Sequence, residues 1–133
     1  MLRPAALDHV GILVSDMDKA LAFYRALGLE VLRVSPPRQD GTRSAVIRAG
    51  MQEINVFSGS AIAPGGARQP AGGVIDHFCL NMDAASIDQL IGDLTRAGLA
   101  IAEGPTKRRD GTTVFVHDPD GIRIELRIAD RGA

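Results

Sequence analysis

At 133 residues, with 45% apolar and 23% charged residues, the chain has the length and balance of one globular domain or two joined half-domains, and it needs no disulfide staples. A formal net charge of −1, no dense Lys/Arg run and only 4% aromatic residues argue against nucleic acid as a partner, by phosphate contact or by base stacking. Cys79 is the single cysteine, no apolar run approaches the ~18 residues that span a bilayer, and Met1-Leu2-Arg3-Pro4 carries no secretory pattern, so a cytoplasmic protein without a membrane partner is expected.

Residues 7–14 are apolar and β-branched, hence a strand. Ser15 or Asp16 then caps a helix in which Met17, Ala20, Leu21, Tyr24 and Leu27 recur at helical spacing, and Gly28 ends it. Residues 29–34 form a second strand. After the Pro36-Pro37 loop, residues 44–49 and 52–57 form a hairpin around Gly50. Residues 58–73, rich in Gly, Pro, Ala and Ser, read as a linker. A strand over 75–82, a helix over 86–97, Gly98, a strand over 99–102 and a hairpin over 112–128 follow, the last turning at Asp118-Pro119-Asp120-Gly121.

The two halves repeat one another. Leu7-Asp8-His9-Val10-Gly11-Ile12 returns as Ile75-Asp76-His77-Phe78-Cys79-Leu80, 68 positions on (from 9 to 77). Leu27-Gly28-Leu29 returns as Ala97-Gly98-Leu99, and Asp40-Gly41-Thr42 as Asp110-Gly111-Thr112, both 70 positions on (from 28 to 98, from 40 to 110). The expected fold is therefore α+β: two βαβββ modules, about 5–57 and about 74–129, within one domain over 1–133.

Strand alternation sorts the side chains. His9, Gly11 and Leu13 share one face of the first strand; His77, Cys79 and Asn81 share the matching face in the second half. In the last strand Arg123, Glu125 and Arg127 share a face, while Ile122, Ile124 and Leu126 make an apolar face that belongs against a helix. The offset of 70 (from 55 to 125) sets Asn55 opposite Glu125, with Glu53 and Phe57 on the same face. Two histidines at matching repeat positions, beside a glutamate on the opposite face from the apolar one, point to His9, His77 and Glu125 as ligands of one divalent ion. A structural alternative is open, because Arg123 or Arg127 could neutralise Glu125 instead. Glu53 is a candidate general base, as is Glu125; Asn55, Phe57, Cys79, Phe115 and Arg127 are candidates to line a substrate pocket. Cys79 also reads as a small buried hydrophobe, and His117 as structural at a strand end. No phosphate-cradling glycine loop or nucleophile elbow is present.

These residues also carry a family resemblance. Leu7-Asp8-His9-Val10 with Ala20-Leu21-Ala22-Phe23-Tyr24-Arg25-Ala26-Leu27-Gly28-Leu29, and His117-Asp118-Pro119-Asp120-Gly121-Ile122-Arg123-Ile124-Glu125-Leu126, resemble the vicinal oxygen chelate superfamily over nearly the whole chain. That superfamily includes glyoxalase I, extradiol dioxygenases, and fosfomycin- and bleomycin-resistance proteins. The resemblance implies two βαβββ modules forming a curled mixed sheet around a metal site, with His9, His77 and Glu125 as ligands. It implies one divalent ion per site (Zn, Ni, Mn or Fe), a small-molecule substrate and a homodimer, the modules pairing within one chain or across two. In glyoxalase I a fourth ligand position holds Glu or Gln, and here Asn55 stands there. The Gln52-Glu53-Ile54-Asn55 hairpin is most similar to the glyoxalase-domain-containing, virulence-associated branch. A metal-dependent enzyme of glyoxalase or dioxygenase type is the leading expectation; the others are a non-haem iron dioxygenase and a metal-free drug-binding protein of the bleomycin-resistance type.

Overall fold

The computed structural model describes residues 1–59, 75 and 77–130. The chain divides into two compact units, Met1–Ala67 and Arg68–Ala133, each a βαβββ module with its own four-stranded mixed sheet. The first comprises β1 (His9–Val14), α1 (Met17–Ala26), β2 (Glu30–Val34), β3 (Arg43–Ala49) and β4 (Gln52–Ser58), in sheet order β1-β4-β3-β2. The second comprises β5 (His77–Asn81), α2 (Ile87–Arg96), β6 (Glu103–Arg108), β7 (Gly111–His117) and β8 (Arg123–Ala129), in the order β5-β8-β7-β6. In both, the first strand lies parallel to the last and the other pairings are antiparallel.

The helices end as the repeat requires. Asp16, in extended conformation, accepts from the Lys19 backbone N–H at 3.0 Å, and Ser86 does the same for Gln89 at 3.1 Å. Each cap satisfies an orphan donor and is worth about 1 kcal/mol. At the other end both helices close identically: Leu29 N–H reaches Tyr24 C=O while Gly28 N–H reaches Arg25 C=O, and Leu99 reaches Leu94 while Gly98 reaches Thr95. That paired closure needs a residue in left-handed conformation, which Gly28 (φ +95°) and Gly98 (φ +76°) supply.

One face of each sheet is apolar and buried. Ile12, Val14, Ala45, Ile47, Ile54 and Val56 of the first sheet are buried, as are Met17, Ala20, Leu21 and Tyr24 of α1, which lies against β2, β3 and β4. In the second, Val114, Val116, Ile124 and Leu126 are buried, with Leu90 and Leu94 of α2. Each such side chain contributes about 1.5–3 kcal/mol relative to exposure.

Several boundaries differ from expectation. Ser58 closes β4 instead of opening the linker, and residues 60–74 of that linker lie outside the described residues. β1 and β5 begin at His9 and His77, two residues later than the apolar run suggests. The strand expected over 99–102 is found instead at Glu103–Arg108. Gly104-Pro105 reads as a chain break, yet β6 is an edge strand whose pairing with β7 is irregular between Glu103 and Thr106, and an irregular edge tolerates both residues.

Gly104 has φ +94°, and a Cβ there would stand 2.7 Å from Thr113 C=O. Gly28 has the same hand of backbone, but a Cβ there would meet nothing within 4 Å. Gly104→Ala is therefore expected to cost about 2–4 kcal/mol, from strain and overpacking together, and Gly28→Ala only the strain, about 1–2 kcal/mol. Urea unfolding of the two variants measures the difference; equal losses would mean that the β6–β7 edge yields to the added methyl.

Candidate metal centre

The face opposite the buried one carries the polar residues in both modules. In module one, His9, Gly11 and Leu13 of β1 are exposed, and Glu53, Asn55 and Phe57 of β4 are half-buried. The register pairs His9 with Glu53 and Gly11 with Asn55. In module two it pairs His77 with Arg123 and Cys79 with Glu125. Asn55 is thus the structural counterpart of Glu125, and Glu53 that of Arg123, as the offset of 70 (from 55 to 125) predicts.

His77 and Glu125 are brought together. His77 Nε2 stands 3.3 Å from Glu125 Oε1, with side-chain exposures of 34% and 15%. Two ligand atoms each ~2.1 Å from one ion, at angles between right and tetrahedral, lie ~3.0–3.4 Å apart, so this pair suits a shared cation. The Cys79 thiol also faces the Glu125 carboxylate; partial desolvation first, and that negative charge second, push it up to about 11, so it is a thiol and not a thiolate at neutral pH.

The remaining polar groups of module two hold one another. Phe115, buried, sets its ring edge-to-face against His77, with centroids 5.4 Å apart. Arg123 lies over the Phe115 ring, 4.2 Å from its centroid, and donates Nε and Nη2 to Glu103 Oε2 at 3.0 and 2.8 Å. Arg127 donates to Asn81 Oδ1 at 3.0 Å and to Asp110 C=O at 2.9 Å; its bond to the Asp110 side chain holds that carboxyl below the usual carboxylate range. Both arginines that sequence offered as partners of Glu125 thus make ion pairs with other carboxylates.

In module one, His9 Nδ1 lies 2.8 Å from Asp8 Oδ2. Asn55 Oδ1 is buried and has no hydrogen-bond partner among the described residues. An orphaned buried acceptor costs about 1–3 kcal/mol, which a cation or a substrate donor would recover. The Phe57 ring borders Gly11, where an added Cβ would stand 3.6 Å away. Sequence reasoning passed over Asp8 and Glu103 as site residues. The Asp-His doublet, which recurs as Asp76-His77, was the available signal for Asp8. Among the described residues, no three His, Cys, Asp or Glu side chains are gathered that could hold a metal ion.

Known proteins share both the sequence and the architecture. Residues 6–126 match the Glyoxalase/Bleomycin resistance protein/Dioxygenase superfamily. Virulence protein STM3117 of Salmonella typhimurium is 31% identical over 124 residues, spanning 90% of this chain and 81% of that one. Its crystal structure superposes with a TM-score of 0.69 and 23% identity, over 96% of this chain and 99% of the other. Mitochondrial methylmalonyl-CoA epimerase of Bos taurus is 30% identical over 132 residues, 92% of this chain and 74% of that one. Lactoylglutathione lyase of Salmonella typhimurium is 29% identical over 124 residues, 89% and 88% of the two chains. The chain belongs to the glyoxalase, bleomycin resistance protein and dioxygenase superfamily.

Proposed function

We propose that this protein is a metal-dependent enzyme that moves a proton at a carbon next to a carbonyl, with His9, His77 and Glu125 as ligands of one divalent ion. The observation that carries the reading is the His77–Glu125 pair, two metal-donor atoms 3.3 Å apart on the polar face of a sheet whose repeat partner presents His9. The relatives' names add a chemical theme: lactoylglutathione and methylmalonyl-CoA are both thioesters bearing a hydrogen on the carbon beside the carbonyl, and an epimerase must remove and return such a hydrogen.

A divalent ion held there supplies Lewis-acid polarisation of the substrate's carbonyl oxygen. The chain's own residues do the rest. Glu53, half-buried on β4 and paired in register with His9, accepts the proton on a carboxylate oxygen and returns it. Asn55 offers its unpartnered Oδ1 to a donor on the substrate or to the ion. In each module an aromatic ring accompanies these groups, Phe57 beside Asn55 on β4 and Phe115 against His77 and under Arg123, and each offers an apolar surface for the substrate.

The test joins elemental analysis to isotope exchange. Purified protein is expected to hold about one Zn, Ni, Mn or Fe per site, and the loaded protein to exchange the α-hydrogen of thioester test compounds for deuterium in D₂O. Protein that binds no divalent ion and exchanges nothing would point to the metal-free binding reading. A second enzyme reading has the same residues behind it, since two histidines and a carboxylate also make the facial triad of non-haem iron oxygenases. Oxygen uptake by the Fe(II)-loaded protein, without α-exchange, would favour it.

Assembly belongs to the same proposal. The proposed ligands are divided between the modules, one on the polar face of the first and two on that of the second, and a homodimer completes the set if the modules pair across chains. Light scattering is expected to give twice the chain mass at micromolar concentration; a monomer that still binds one ion would mean that the modules pair within the chain. No helix among the described residues is long and apolar enough to cross a membrane, and we take the cytoplasm as the working location.

A further inference from the structure

We propose that Asp8 is a positioning residue for His9, fixing the tautomer and orientation of the imidazole so that Nε2 is the nitrogen presented to the metal. This rests on His9 being a ligand, as proposed above.

The contact is direct. Asp8 Oδ2 stands 2.8 Å from His9 Nδ1. A carboxylate only accepts hydrogen bonds, so Nδ1 carries the proton, and the neutral ring then keeps its lone pair on Nε2. A histidine held in this way is aimed before the ion arrives, and the carboxylate behind it makes the ring a better donor.

The surroundings explain why such a holder is needed. His9 opens β1, and its side chain is 48% exposed, so packing leaves the ring free to turn. Asp8 precedes the strand, but its carbonyl accepts from the Glu53 backbone N–H at 3.3 Å, which hooks Asp8 onto β4 next to the proposed base. In module two, Nε2 is also the nitrogen of His77 that faces Glu125. Both modules thus select the same ring nitrogen. Asp76, the counterpart of Asp8 in the repeat, lies outside the described residues. An exposed pair of this kind contributes little to folding, which separates a positioning role from a structural one.

Zinc affinity, measured by competition with a chromogenic chelator, tests the inference together with ¹⁵N spectra of the metal-free protein. Asp8→Ala is expected to weaken Zn²⁺ binding by about 10–100-fold with unfolding midpoint unchanged, and to shift the His9 ring from the Nδ1–H towards the Nε2–H form. Asp8→Asn, whose Oδ1 still accepts from Nδ1–H but carries no charge, should recover part of the affinity. His9→Ala assigns the resonance and must abolish binding. If Asp8→Ala binds Zn²⁺ as tightly as the parent with the tautomer unchanged, while His9→Ala loses the ion, the positioning role is wrong and the ligand assignment survives. If His9→Ala binds as tightly as the parent, the ligand assignment falls and takes this inference with it.

Discussion

His77→Ala is expected to purify with no divalent ion and to bind none on reconstitution. The variant removes one of three donors and leaves Glu125, with a side chain only 15% exposed, without its nearest basic neighbour. Two remaining donors are too few to hold a divalent ion through purification. His9→Ala should behave likewise, and Glu125→Gln should weaken binding, because an amide oxygen is a poorer partner for a dication. In the parent protein the affinity must fall as the pH is lowered. Both imidazoles bind only when neutral, so protons compete with the ion for each of them. Elemental analysis of the purified variants and calorimetric titration of the parent at falling pH measure these effects. A His77→Ala protein with full metal content would remove the site altogether.

Much of the frame behind that expectation is legible in the sequence, because the chain describes itself twice. The Asp-His doublets locate the first strand of each module, Gly28 and Gly98 the two helix ends, and Asp118 to Gly121 the last turn, where Gly121 N–H reaches Asp118 C=O at 2.9 Å. The offset between halves anticipates the register that makes Asn55 the counterpart of Glu125. What escapes is whatever the two halves do differently. β6 carries Gly104-Pro105 where, at the offset of 70 (from 34 to 104), the first half carries Val34-Ser35 at and just past the end of β2, so the local signal says turn while the sheet accepts an irregular edge strand. Charge placement escapes too. Arg123 and Arg127 share the face of Glu125, but their carboxylate partners, Glu103 and Asp110, lie 20 and 17 positions away in the chain and reach them only through the β6–β7–β8 pairing. The placement of Arg123 over Phe115, and of Phe115 edge-to-face with His77, likewise depends on strand neighbours that no spacing rule relates.

The carboxylate that module one places where module two has Arg123 carries the second large effect. Glu53→Gln is expected to keep its metal and to slow α-hydrogen exchange by a factor on the order of 10²–10⁴, the usual worth of a general base. The substitution conserves shape, and Glu53 sits beside His9 in register, close to the proposed ion without being counted among its ligands. Asn55→Glu provides the complementary test. Asn55 Oδ1 is a buried acceptor without a partner at the position that corresponds to Glu125. A carboxylate there would add an anionic fourth donor, tighten metal binding and move the site towards the arrangement expected of glyoxalase I. Burying that charge is costly unless the ion is present, so the metal-free Asn55→Glu protein should be less stable than its parent and the loaded protein more so. Thermal unfolding with and without the ion separates the two effects. Should Asn55→Glu leave metal affinity unchanged while Glu53→Gln destroys it, Glu53 is the fourth ligand, Asn55 serves the substrate, and the base must be sought in Glu125 released from the ion.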